Sequence, residues 1–91
     1  MPKTVRLQTP VVFGATTIAE LTLRDPTGKD LRTLGMPVAL GAIDTQAMGA
    51  WIAQLSGQTE PMVDMLGLTD WMAAATAVSG FFAQAAAVTT S

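Results

Sequence analysis

The chain has 91 residues and no Cys, His or Tyr, so disulfides, thiolate metal sites, thiol nucleophiles and the usual base near neutral pH are all excluded. Apolar residues make up 49 % of it and charged residues 13 %, which leaves little polar surface to cover a single small domain spanning residues 1–91. All five basic residues (Lys3, Arg6, Arg24, Lys29, Arg32) fall in the first 32 positions against three acids; from residue 33 onward there are four acids and no base. The net charge of −2 and this lopsided layout lack the basic excess of a nucleic-acid binder.

The opening MPKTVRLQT alternates polar and apolar residues where a secretion signal needs an unbroken apolar stretch, so a cytoplasmic location is the expectation. Val5 and Leu7 alternate with Thr4, Arg6 and Gln8 as in a half-buried strand, which Pro10 should end. Val11 to Phe13 form a second extended run, Gly14-Ala15-Thr16 a turn, and residues 17–23 a strand with Ala19, Leu21 and Leu23 on one face. The expected class is α+β: a small N-terminal antiparallel sheet of two or three strands within residues 1–24, packed against three or four helices within residues 26–88.

Thr27 followed by Asp30 spells a capping box for a short helix through Leu34, ended by Gly35. Residues 36–43 (MPVALGAI) form an apolar connector that should pack down. Asp44 caps a helix over 45–56 whose stripe is Met48, Trp51, Ile52 and Leu55, and Gly57 supplies its left-handed end. Thr59 and Pro61 open a short helix through Leu66, closed by Gly67. Thr69 then caps a last helix over 70–87, with Asp70 near its positive end and a stripe of Trp71, Ala75, Val78, Phe82 and Ala85; Thr89, Thr90 and Ser91 should fray.

The seven carboxylates are scattered, and helix starts or solvated faces account for most of them, so no catalytic pair stands out. No glycine-rich phosphate loop is present, and no cofactor or metal is expected. Trp51 and Trp71 read chiefly as core and secondarily as binding anchors, and the six Met residues as gap-fillers before groove linings. Ala75, Ser79, Ala83 and Ala87 recur every fourth residue, a small-residue row on which a partner helix or a second copy could lie close. The candidate partner-binding residues are therefore Trp51, Trp71, Met72, Ala75, Ser79, Phe82 and Ala83. Residues 71–88 carry no charge and meet the length of a membrane span, but their Ala, Thr, Ser, Gly and Gln content and the lack of flanking bases oppose it.

The segment ELTLRDPTGKDL, residues 20–31, resembles the tail assembly chaperones of Mu-like contractile-tailed phages. The later order agrees with that family: a helix ending Leu55-Ser56-Gly57, a short helix with Val63 and Leu66, then Leu68-Thr69-Asp70 opening an Ala-rich helix with Phe81-Phe82. The resemblance implies a non-enzymatic chaperone in the host cytoplasm that binds tape measure protein, with major tail protein as a second client, and is absent from the finished particle. The competing readings are a membrane-associated protein held by residues 71–88 and a structural subunit of the virion.

Overall fold

The computed structural model describes the backbone of residues 2–39 and 41–90 and the side chains of residues 2–38 and 41–86. Strands β1 (Lys3–Phe13) and β2 (Thr16–Leu23) pair antiparallel in one hairpin, so the N-terminal sheet is two-stranded. Phe13 pairs with Thr16 across the two-residue turn, where Gly14 takes φ +64°, a left-handed backbone that other residues adopt only with strain.

Pro10 does not end the first strand. The register passes from Arg6 opposite Glu20 to Val11 opposite Ile18, so Leu7 to Pro10 face the single residue Ala19 in a wide bulge. Pro10 has no N–H to give a ladder, which is why a bulge tolerates it. The bulge also breaks the alternation expected in β2: Ile18, Leu21 and Leu23 are buried, and Ala19 faces solvent.

Helix α1 (Gly28–Leu34) starts at the expected capping box, with Asp30 N–H donating to Thr27 Oγ1 and Thr27 N–H donating back to Asp30 Oδ2 at 2.9 Å. The apolar connector contains a small hairpin of its own, β3 (Val38–Ala39) with β4 (Ala42–Ile43). It packs down through buried Pro37 and half-buried Val38, whereas Met36 and Ile43 stay exposed; Leu40 lies outside the described residues.

Helix α2 (Thr45–Ser56) is the centre of the molecule. Asp44 caps it by accepting from the N–H groups of Gln46 and Ala47, Gly57 closes it at φ +73°, and Met48, Trp51, Ile52, Ala53 and Leu55 are buried. It packs on β2, α1, α3 (Glu60–Asp64) and α4 (Leu68–Thr90). Helix α4 begins two residues before the expected start: Trp71 N–H donates to Gly67 O at 2.8 Å, which puts Gly67, not Thr69, at the cap. Its helical backbone runs to Thr90, and Ser91 lies outside the described residues.

One face of α4 joins β1, β2 and α2 in a continuous core. That face is Ala74, Ala75, Ala77, Val78 and Phe81, so it is rotated from the expected stripe: Phe81 is buried where Phe82 was expected, and Ala85 is exposed. Alanines occur on every side of this helix, so periodicity fixes the phase of the buried face poorly. The Lys3 side chain reaches over Gly80, where a Cβ would come within 3.3 Å of its Nζ.

Two buried carboxylates fasten the hairpin to the helices. Asp70, 3 % exposed, accepts from the N–H groups of Gln8 at 2.8 Å and Thr9 at 3.1 Å, which pairs two donors that the bulge removes from the ladder. Asp30, 6 % exposed, receives both guanidinium nitrogens of Arg24 at 2.8 and 2.9 Å, tying the end of β2 to α1. The Arg24 hydrogen bonds, aided by those from Thr27, hold the Asp30 carboxyl well below the usual carboxylate range against the opposing effect of burial.

Candidate functional site

A groove of about 450 Å³ is bounded by the start of α2, by α3 and by the first turns of α4. Leu68, Trp71 and Met72 give it an apolar wall, Gly49 opens the α2 side by lacking a side chain, and Thr45 and Gln46 edge it. The remaining lining residues are Glu60 and Asp64, both exposed, on α3. The sequence positions α3 by local rules: Thr59 Oγ1 accepts from Met62 N–H, Pro61 lies in the first turn, and Met62 and Val63 plug into the core. That plug leaves the carboxylate face of this short helix turned to the groove.

Leu68 is 78 % exposed, Met72 43 % and Met65 53 %, an unusual concentration for side chains of this type at one place. Trp71, half-buried, lies among them. Leu68 and Met72 are one helical turn apart, so both fall on the groove side of α4, and Met65 stands in the turn that precedes it.

The expected binding residues do not form one surface. Trp71 and Met72 meet in the groove. Trp51 is fully buried, with its Nε1–H donating to Gly35 O at 2.7 Å and its ring meeting Phe82 edge-on at 5.1 Å, and Ala75 is 1 % exposed, so neither offers a surface to a partner. Ser79 and Phe82 are half-buried and Ala83 is exposed; the side chain of Ala87 lies outside the described residues. The small-residue row therefore turns from core to solvent along α4, because each four-residue step advances about 40° around a 3.6-residue helix.

A second, smaller hollow of about 250 Å³ lies between the Pro26–Gly28 corner, Leu31 and the Phe81–Ala85 stretch of α4, with Trp51 at its base. A third, of about 290 Å³, is lined by Lys29 and by Arg24 and Asp30, whose ion pair belongs to the corner already described. The Met residues divide: Met48 and Met62 fill the core, whereas Met36, Met65 and Met72 are exposed. Leu68, Glu60 and Asp64 were not among the expected binding residues. The signal for Leu68 was present as the four-residue spacing of Leu68 and Met72, an apolar pair beside the face that α4 buries.

Among the described residues, no group of three or more acids gathers as a metal site, and no helix is long and apolar enough to cross a membrane. A family model described as phage tail assembly chaperone proteins, E, or 41 or 14, matches residues 4–83, which takes in the hairpin, the Arg24–Asp30 corner and the whole groove. Neither the curated proteins nor the solved structures contain a match.

Proposed function

The chain belongs to the phage tail assembly chaperone family and so has a role in tail assembly, and from that premise we propose that it binds tape measure protein through the α2–α3–α4 groove. The observation that carries this reading is the exposed apolar wall of Leu68 and Met72 beside Trp71, where a client could bury apolar side chains. The mechanism is mass action: the groove covers an apolar segment of the client until tail assembly displaces it. Catalysis has no part in it, a reading supported by the absence of His, Cys and Tyr. On the same reading the chaperone works in the host cytoplasm, takes major tail protein as a second client, and leaves before the particle is complete.

Co-expression with tape measure protein tests this. Wild-type chain is expected to keep the client soluble and to co-purify with it, and the Leu68→Glu/Met72→Glu double variant to lose at least about tenfold in affinity, roughly 1.4 kcal/mol. Both side chains are exposed, so melting should be nearly unchanged. Undiminished co-purification of tape measure protein by the folded double variant would move the binding face elsewhere.

A further inference from the structure

We propose that the segment taken into the α2–α3–α4 groove is an amphipathic helix whose apolar face is flanked by Lys or Arg. The inference rests on the groove being the client site and adds the chemistry of what fills it. Three observations carry it. The walls come from three helices and no strand edge borders the groove, so the fitting mode is a helix laid in a groove, not an added strand. The apolar wall of Leu68, Trp71 and Met72 faces Glu60 and Asp64, and neither carboxylate meets a cation among the described residues. Every basic side chain of the protein belongs to residues 3–32, and none lines this groove.

A helix docking on the Leu68–Met72 wall brings its flanks toward Glu60 and Asp64. Acidic flanks there would meet like charge at an interface losing water, whereas Lys or Arg flanks can keep their charged ends in solvent beside the two carboxylates. The rim thus selects among apolar helices more than it adds affinity, which suits a protein that must not hold every apolar segment it meets.

The test uses the full chain and two synthetic peptides of about 18 residues with the same Leu stripe, one flanked by Lys and one by Glu, long enough to span several helical turns. Titration calorimetry and the emission of Trp71, which borders the groove, report binding. The Lys-flanked peptide is expected to bind at least about tenfold tighter at low salt, with the difference shrinking as salt rises. In Glu60→Lys/Asp64→Lys the preference should invert, and in the milder Glu60→Gln/Asp64→Asn it should disappear; both positions are exposed, and unchanged melts certify folding. Equal binding of the two peptides, or a preference that survives the reversal, overturns the charge inference while loss of tape measure protein by Leu68→Glu/Met72→Glu still upholds the groove. No binding of either peptide, with tape measure protein indifferent to the groove variants, brings down both. A concentration-dependent rise in mass abolished by the reversal also overturns the proposal, since it gives the groove to a second copy, whose α1 exposes Leu31 between Lys29 and Arg32.

Discussion

Trp51 and Trp71 stand on helical stripes of similar spacing, and the regions around them differ in one physical respect, the number of layers that cover them. Helix α2 is enclosed by β2, α1, α3 and α4, so its Trp51 is sealed and its indole N–H finds Gly35 O inside the fold. Helix α4 packs chiefly on β1 and α2, and on the groove side its first turns face the open start of α2 and the five-residue α3. Trp71 is therefore half-covered, with Leu68 and Met72 more open still. Periodicity says which way an apolar face points; whether another layer arrives to cover it is a property of the tertiary fold.

Paired tryptophan substitutions test that difference most severely. Trp51→Ala removes a fully buried aromatic and should cost about 3–5 kcal/mol in urea unfolding. Trp71→Ala should cost about 1–2 kcal/mol, because its side chain already sits partly in water, and should weaken tape measure binding in a chain that still folds. Equal stability losses would mean that the groove is closed in solution.

The two carboxylate fastenings sharpen the same contrast within the closed side. Asp70→Ala should cost about 2–4 kcal/mol, since it strands the buried N–H groups of Gln8 and Thr9 and loosens the bulge from α4. Asp30→Asn should cost less, about 1–2 kcal/mol, because Arg24 is 44 % exposed and its pair is screened by solvent. The pH dependence distinguishes the second device. A carboxyl held below its unfolded value of about 4 contributes stability that is complete above that pH and is lost as pH falls toward its folded value. The stability gap between wild type and Asp30→Asn should therefore be constant near neutrality and narrow below about pH 4; a gap that widened in acid would contradict the assignment.

These two fastenings also show what was legible in the sequence. Thr27 and Asp30 are three residues apart and announce their capping box, and Asp44 and Gly57 mark the limits of α2 equally plainly. Asp70 was legible only as an acid near a helix start, because its partners are backbone N–H groups 62 and 61 residues away, freed by a bulge that side-chain pattern does not encode. Pro10 was misread for the same reason: a residue without an N–H ends an ordinary ladder but sits comfortably in that bulge. Of the groove, Trp71 was legible from the α4 stripe and Met72 as a methionine beside it. Glu60, Asp64 and Leu68 were not, because the opposing wall comes from a separate helix and the burial phase of an Ala-rich helix is weakly marked.

The smallest effect concerns the far end of α4. The row of Ala75, Ser79 and Ala83 could serve a docking helix only if it lay on one open face, yet Ala75 is buried, Ser79 half-buried and Ala83 exposed. Ala83 stands eleven positions beyond Met72, roughly 16 Å along a helix that rises 1.5 Å per residue, so a bulky charge there would not reach the groove. Ala83→Arg should consequently change stability by less than about 0.5 kcal/mol and leave tape measure binding intact. A folded Ala83→Arg variant that fails to retain tape measure protein would place the client along the outer half of α4. If client binding survives but a dimer of wild-type chain is lost, that half is where two copies meet. Thermal melts, co-purification and light scattering on one set of proteins separate the outcomes, because a variant that disturbed the Ala75 side of the core would first reveal itself in the melt.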